Sequence, residues 1–284
     1  MITAAQRDII RQRAYVPEHL LDYVTSITRA EPFLIEDYLV YTRRGWLLFV
    51  GYALSEDRNL ARDEERMLRA FEQARAQFSP EVISVDSPAL PPAMERDCSA
   101  CSGPDHYYFL ELAGLSLGKK LRNLLKRAGR ELIVERGKDL EREHKRLIQD
   151  FIRSHPLQQG LAQIYRRLPE YVESGAAWVI SARDERGKLS AFDIADFNSQ
   201  DYAFYLFNFR SCQNYVPGAS DLLLSSIIEQ ARLEGKKAIN LGLGINPGVT
   251  FFKTKWGGSA DLLHWTCIHE TPRDERFDSM LDKL

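Results

Sequence analysis

Residues 238–258, AINLGLGINPGVTFFKTKWGG, carry the pattern that decides the fold. The stretch opens with a short apolar run, breaks into glycines between Gly242 and Gly248, and resumes before a Gly-Gly pair. A buried strand, a glycine-rich turn and a short helix produce this pattern. Glycines let a ligand approach the backbone, and a helix start gathers unpaired N–H groups. We therefore expect a place that holds an anion or an oxyanion, with Lys253 and Lys255 adding positive charge.

The composition is that of a globular protein, with 284 residues, 44% hydrophobic and 27% charged. A formal net charge of −2 gives no global reason to bind nucleic acid or an anionic membrane, so such binding needs a local patch. The N-terminal residues turn polar too soon for a signal peptide, and no apolar run approaches the length of a membrane span. We expect a cytoplasmic protein with reduced thiols.

Four cysteines are present, and two of them form a CxxC. Cys98 and Cys101 make this pair, whereas Cys212 and Cys267 stand alone in the sequence. A structural zinc site usually takes four ligands in two such pairs, and a redox CxxC opens a helix, whereas residues 102–105 read as a turn. We therefore interpret the pair as part of a loop and expect no metal site.

A proline-rich stretch at residues 88–104 is the clearest break in the chain. Proline fixes φ and removes a hydrogen-bond donor, so the stretch predicts a linker or a long crossover loop. It divides the chain into an N-terminal unit, residues 1–104, and a larger C-terminal unit, residues 105–284. The charged tail after Pro272 is expected to be loose.

Hydrophobic periodicity predicts strands and helices in a definite order. In the first unit, helices at 4–27 and 60–78, the latter beginning at Leu60, accompany a strand hairpin and a strand at 81–85. In the second unit the predicted order is a strand at 106–112, a helix at 117–130, a strand at 131–137, helices at 140–151 and 160–173, a meander at 177–182, 189–197 and 202–210, a helix at 217–234, the 238–258 stretch and a strand at 262–268. This order predicts an α/β fold with a mixed sheet, and the first unit repeats it in shortened form.

Three segments carry a family resemblance: KKLRN at 119–123, EGKKAINLGLG at 234–244 and FKTKWGG at 252–258. Together with the element order, they resemble the GNAT-type acyltransferase fold, in particular the C-terminal domain of lysylphosphatidylglycerol synthases and the Fem-type aminoacyltransferases. The likeness covers residues 105–270 and implies two tandem GNAT-like units. It implies acyl-CoA or aminoacyl-tRNA as co-substrate, no tightly bound cofactor, and a small-molecule, lipid or peptide acceptor, with tRNA as a possible partner.

One loop departs from that pattern. GNAT acetyltransferases hold the coenzyme A pyrophosphate on a glycine-rich loop after the fourth strand, but residues 210–219 here offer one glycine. The helix start at Gly218, Ala219 and Ser220 still presents N–H groups to a phosphate, and we expect it, with Arg210, to contact the donor. The missing glycines are compatible with an aminoacyl-tRNA donor.

A basic stripe runs along the helix predicted after the first strand of the second unit. Lys119, Arg122, Lys126 and Arg130 recur at spacings of three, four and four, so they share one helix face. The stripe either meets a tRNA, a phosphate chain or an anionic head group, or is simply a solvated helix face. We assign Lys119, Arg122 and Lys126 to donor binding.

Four residues are candidates for the chemistry: Asp193, Tyr205, Asn246 and Lys253. Asp193 lies in an apolar strand, where partial burial would raise its pKa and suit it to act as a general base; the alternative is an exposed polar face. Lys253 either points into a cleft or lies on the surface with its stem buried. Asn246 either faces a substrate or belongs to a structural turn.

Asp196 and His264 complete the proton-transfer candidates, and for His264 a structural role is favoured. The sequence contains no nucleophile-elbow, zinc-protease or P-loop motif. The expected function is acyl or aminoacyl transfer to an amine or hydroxyl. The alternative is a non-catalytic GNAT-like module that binds an anionic partner, RNA or a lipid head group. The oligomeric state stays open.

Overall fold

A computed structural model describes residues 2–55, 63–157 and 159–270. Leu60 and the tail after Pro272 lie outside these residues. The predicted α/β fold class with a mixed sheet is confirmed. None of the helices in the described ranges combines the length and apolar character needed to cross a bilayer.

The elements follow one another along the chain, and a 3-10 turn at Pro17–His19 lies between the first two helices. In chain order they are α1 (Ala4–Arg13), α2 (Leu21–Thr28), β1 (Glu31–Ile35), β2 (Tyr38–Arg43), β3 (Trp46–Val50), α3 (Glu64–Phe78), β4 (Val82–Ser87), α4 (Pro92–Arg96), β5 (Ala100–Glu111), α5 (Lys119–Glu131), β6 (Leu132–Gly137), α6 (Arg142–Ser154), α7 (Gln159–Arg166), α8 (Leu168–Glu173), β7 (Ala177–Asp184), β8 (Leu189–Asp196), β9 (Tyr202–Arg210), α9 (Ala219–Leu233), β10 (Ala238–Leu243), α10 (Pro247–Lys255) and β11 (Ser259–Glu270).

The chain divides into two compact units. Of the described residues, the first comprises Ile2, 30–55, 63–105 and 263–270, and the second comprises 3–29, 106–157 and 159–262. The sequence predicted a single boundary between residues 104 and 105. The structure differs at both ends of the chain, because residues 3–29 belong to the second unit and residues 263–270 belong to the first. The N-terminal helices cluster with the second unit because Ile27 packs beside Tyr171 and Arg29 pairs with Glu170 at 2.9 Å. The far half of β11 clusters with the first unit because it forms a ladder with β4.

The first unit has the strand order β1-β2-β3-β4-β11. Antiparallel ladders join β1, β2 and β3, and α3 leads into β4, which runs parallel to β3. The Asp63 side chain caps α3 by accepting from the Arg66 N–H at 3.0 Å. The apolar face of α3, with Met67 and Phe71, then packs on the sheet.

The second unit has the strand order β5-β10-β9-β8-β7-β6. The predicted meander is confirmed, since β7, β8 and β9 pair antiparallel. Helix α9 connects β9 to β10, which are parallel, and β10 pairs antiparallel with β5. One face of this sheet packs against α9, and the other against α2, α6 and α8. All residues of β8 are therefore buried, which places the carboxyls of Asp193 and Asp196 inside the unit.

Two predicted elements are different in the structure. The single helix predicted at 160–173 is two helices, because Pro169 lies in the first turn of α8, where its missing N–H is tolerated, and cannot continue α7. The stretch at 88–104 holds α4 and the start of β5 rather than a free linker, and residues 102–105 are strand rather than turn. Met94 is buried, and Leu90 and Cys98 pack on the core, so apolar contacts order this proline-rich segment.

Candidate functional site

Strands β9 and β10 part after three residue pairs. Ala238, Ile239 and Asn240 pair with residues 202–204, and the ladder then stops although both strands continue through described residues. A bulge follows on β10, where Gly242 has a φ of 78° and donates its N–H to the Asn240 side chain at 2.7 Å. Glycine suits this turn because the conformation is strained for other residues. Beyond Asn240 and Phe204 the two strands therefore no longer pair with each other.

Lys253 of α10 lies at this split. Its side chain is buried, at 3% exposure, and the Nζ donates a hydrogen bond to the Leu243 carbonyl. A Cβ at Gly242 would lie 3.6 Å from the Nζ and 3.9 Å from the Tyr205 carbonyl oxygen. The Tyr108 ring centroid is 5.7 Å from the Nζ. Lys253 is thus an inward-facing cation, not the surface lysine of the alternative interpretation.

The rest of α10 is held in place by its own anchors. Asp221 accepts a hydrogen bond from the Trp256 indole at 2.9 Å and forms an ion pair with Lys255 at 2.5 Å. Lys255 is therefore engaged away from Lys253, as their spacing on a helix predicts. Because both anchors are short and the indole is buried, α10 presents Lys253 at a fixed position.

Asn246 is the N-cap of α10. Its side-chain oxygen accepts from the N–H groups of Gly248 and Val249, both at 3.0 Å, and Pro247 fills the first helical position. This is the local structure that Asn-Pro favours at a helix start. The structural interpretation of Asn246 accounts for its contacts.

Tyr205 lies on β9, and its ring stacks on Phe252 with a centroid separation of 6.1 Å. Burial, reinforced by the nearby Asp193 and Asp221 carboxyls, holds the pKa of Tyr205 well above its usual range. The phenol therefore keeps its proton and acts as a neutral hydrogen-bond donor or acceptor.

Asp193 is fully buried, at 0% exposure, and belongs to a polar chain that crosses from β8 to α9. The Asn208 amide donates to Asp193 Oδ1 at 2.6 Å, and the Ser220 hydroxyl donates to Asn208 Oδ1 at 3.0 Å. Asp193 Oδ2 has no partner among the described residues. Burial holds the pKa of Asp193 well above its usual range and so favours the protonated acid. The exposed-face interpretation is wrong, because β8 is covered on both faces.

The other two proton-transfer candidates are structural. Asp196 accepts from the Tyr171 hydroxyl at 2.6 Å and from the Asn198 N–H at 2.7 Å. His264 lies in the first unit, where its ring nitrogens contact the Tyr52 hydroxyl at 3.0 Å and the Thr266 hydroxyl at 3.1 Å. Both are partnered, buried side chains.

Of the predicted donor residues, Gly218 lies at the contact between α5 and α9. Gly218, with a φ of 86°, precedes α9 and lies against Leu124 and Ala128 of α5, where a Cβ would come within 2.9 Å of Leu124. The stripe residues Lys119, Arg122, Lys126 and Arg130 are exposed on the same helix. No ion pair or hydrogen bond within the described chain engages their side chains. Arg210 is exposed at the end of β9.

A separate groove of about 810 Å³ also lies in the second unit. None of the predicted site residues lines it, and the guanidinium of Arg136 on its wall is already bound by Glu229 at 2.7 Å and Ser226 at 2.9 Å. We therefore place the candidate site at the β9–β10 split.

Comparison with solved structures identifies the architecture. The chain has a GNAT-type fold. It is similar to the C-terminal domain of a putative lysylphosphatidylglycerol synthetase from Agrobacterium fabrum, with a TM-score of 0.64, 16% identity and coverage of 98% of this chain and 96% of that one. It is also similar to FemX (TM-score 0.60, 12% identity, 95% and 94% covered) and to a tandem GNAT protein from the clavulanic acid biosynthesis pathway (0.53, 12%, 94% and 94%). No family model and no curated protein matches the chain.

The sequence pattern missed three contributors to the site. Gly242 and Tyr108 border Lys253, and Asn208 links Asp193 to Ser220. Asn208 lies opposite Asp193 in the β8–β9 register. A polar pair facing each other in two otherwise apolar strands was the sequence signal that could have identified Asn208.

Proposed function

We propose that the chain transfers an acyl or aminoacyl group from an acyl-CoA or aminoacyl-tRNA to an amine or hydroxyl acceptor. The observation that carries the proposal is the buried Lys253 at the point where β9 and β10 part. A fixed cation in a water-poor split is suited to stabilise an oxyanion. The likeness in fold to a putative lysylphosphatidylglycerol synthetase domain and to FemX supports the aminoacyl branch.

In this reaction the acceptor nitrogen or oxygen attacks the donor carbonyl. The new C–N or C–O bond forms as the ester C–O or thioester C–S bond breaks, and the departing oxygen or sulfur takes up the proton that the acceptor loses. The Lys253 side chain, which donates a hydrogen bond to the Leu243 carbonyl at the split, is the group that we assign to stabilise the oxyanion. The Tyr205 phenol, whose raised pKa keeps it neutral, is the second donor that we propose.

We assign Asp193 a positioning role instead of the general-base role expected from the sequence. A general base must be ionised and within reach of the substrate, whereas Asp193 is fully buried and its raised pKa favours the neutral acid. Through Asn208 it fixes Ser220 in the first turn of α9. That turn and the α5 stripe form the surface that we propose for the phosphates of the donor.

Replacing Lys253 with methionine tests the proposal. The variant keeps the bulk of the stem but loses the charge, so we expect turnover to fall by about 10²–10³-fold with little change in donor affinity. The measurement is transfer of a labelled group from a panel of aminoacyl-tRNAs and acyl-CoAs. Lys145→Met, an exposed position on α6, is the matched control. Unchanged turnover in Lys253→Met, or no turnover of any donor by wild type, contradicts the proposal.

The non-catalytic alternative also rests on a specific observation, the exposed cations of α5. If the stripe binds RNA, replacing Lys119, Arg122, Lys126 and Arg130 with alanine should reduce the slope of log affinity against log salt by about 3. A quadruple alanine variant of Arg142, Lys145, Arg146 and Arg153 on α6 matches the change in charge. Loss of tRNA binding without any turnover by wild type favours the binding module, whereas a raised KM for tRNA in a working enzyme favours transfer.

A further inference from the structure

Three of the four cysteines converge in the first unit although they are distant in sequence. Cys98 follows α4, Cys101 lies on β5 and Cys267 lies on β11. Their sulfur atoms all lie within 4.8 Å of one another, and those of Cys101 and Cys267 are 2.7 Å apart. We call these three residues the cysteine cluster.

Pairwise bonding does not account for the cysteine cluster. The Sγ of Cys98 contacts both Cys101 and Cys267, with Cα separations of 6.5 and 6.1 Å. A disulfide sulfur has one sulfur partner, so any pair formed here leaves a third thiol beside it. A cation, by contrast, takes all three sulfurs at once. The convergence of three side chains from three separate segments is the arrangement that a metal ion needs.

We propose that Cys98, Cys101 and Cys267 bind one Zn²⁺ as thiolates. Zinc favours thiolate sulfur at about 2.3 Å and a tetrahedral arrangement, and soft ligands of this kind disfavour Mg²⁺ and Ca²⁺. Binding releases three thiol protons to the solvent, so three thiolates and the ion carry a net charge of −1. One coordination position remains for a further ligand. Water and the ion can reach the site because Cys101 is exposed.

The surroundings suit a site that ties segments together. Cys267 is buried in the core of the first unit, and Cys98 packs against the same core. His269, two residues farther along β11, contacts the carbonyl of Asp97 at 3.1 Å through Nδ1, and its buried Nε2 has no partner in the described chain. An ion held by the cysteine cluster would link β11 to the start of β5 across 166 residues of chain. Closing so long a loop with a metal restricts the unfolded state.

Metal analysis of the whole chain tests the inference. Protein reduced in advance and kept free of oxygen is loaded with Zn²⁺ and desalted, and a parallel sample receives Co²⁺. We expect one Zn²⁺ per chain and, with Co²⁺, a thiolate-to-metal charge-transfer absorption in the near ultraviolet. Cys101→Ser, an exposed position, should weaken zinc binding by at least about 100-fold, above the usual effect of losing a supporting contact. Cys98→Ser and Cys267→Ser should act alike.

Cys212→Ser is the matched control, since this cysteine is exposed and outside the cluster. Circular dichroism of each variant separates lost binding from lost folding, and Cys101→Ser keeps the test valid if the buried Cys267 variant unfolds. The inference is overturned if the reduced protein retains no zinc, or if Cys101→Ser binds as tightly as wild type. It is also overturned if the protein isolated in air has two thiols fewer by titration and binds no zinc after reduction, which would make the cluster a disulfide site.

Discussion

Lys253 and Asp193 are buried ionisable residues in different surroundings. Lys253 lies at a split between strands, where its Nζ donates a hydrogen bond to the Leu243 carbonyl. Asp193 lies between a sheet and a helix, where it meets an amide and no cation among its described hydrogen-bond partners. Burial without a cationic partner raises the pKa of Asp193 and favours its neutral form.

The pH dependence of unfolding tests the protonation of Asp193. Its folded pKa is raised, so its contribution to stability is present below the unfolded pKa of about 3.9 and is lost as pH rises toward the folded value. Asp193→Asn removes this titration and keeps an oxygen for the Asn208 amide. We expect the variant to gain on wild type by about 1.4 kcal/mol for each pH unit in that interval. Denaturant unfolding at several pH values measures the difference, and a constant difference from pH 4 to 8 would contradict a buried neutral acid.

At the scale of elements, helix ends decide where the candidate groups lie. Asn246 starts α10 and thereby fixes the register that turns Lys253 inward. Gly218 starts α9 in the left-handed region and lets α5 approach closely. Both starts depend on residues with special backbone or capping chemistry.

Gly218→Ala tests the close approach of α5 and α9. The new Cβ would occupy a left-handed conformation 2.9 Å from Leu124, so we expect a loss of about 1–3 kcal/mol in the free energy of unfolding. Gly129→Ala is the matched control within α5, since a Cβ at Gly129 would lie 3.9 Å from its nearest neighbour, Leu222. This control should stabilise the protein by about 0.5–1 kcal/mol. Equal effects of the two variants in chemical denaturation would show that the contact is not tight.

At the scale of the whole molecule, a net charge of −2 conceals strong local differences. The α5 stripe concentrates cations on one surface, while buried carboxyls contribute formal charges that folding neutralises. The formal charge is therefore a poor guide to partners, because the exposed charges of one helix set the local field.

The titrations of the buried groups predict a stability maximum at mildly acidic pH. Burial lowers the pKa of His144 to about 4, so its contribution is present above about 6.5 and is lost as pH falls. Burial raises the pKa of Asp193 and Asp196, so their contributions are lost as pH rises from about 3.9. We expect the highest Tm between about pH 4 and 6.5, and a Tm a few degrees lower at pH 8. A Tm that rises steadily from pH 5 to 8 in a thermal scan would exclude this balance.

The sequence by itself determined the strand-turn-helix at 238–258, the meander, the basic stripe and the fold class. These features depend on periodicity, glycine and proline, whose effects act between neighbours in the chain. Asn246 as a cap was also available from the Asn-Pro pair, since capping is a local interaction.

Only the tertiary structure decided the remaining features. Four features depend on contacts between segments that are far apart in sequence. They are the burial of Lys253, the hydrogen-bonded chain from Ser220 to Asp193, the placement of residues 3–29 in the second unit, and the convergence of Cys267 with the CxxC. Such contacts are set by how sheets and helices pack. Local spacing therefore suggested that Cys267 is isolated and that Asp193 is accessible. Packing instead places Cys267 in the cysteine cluster and buries Asp193.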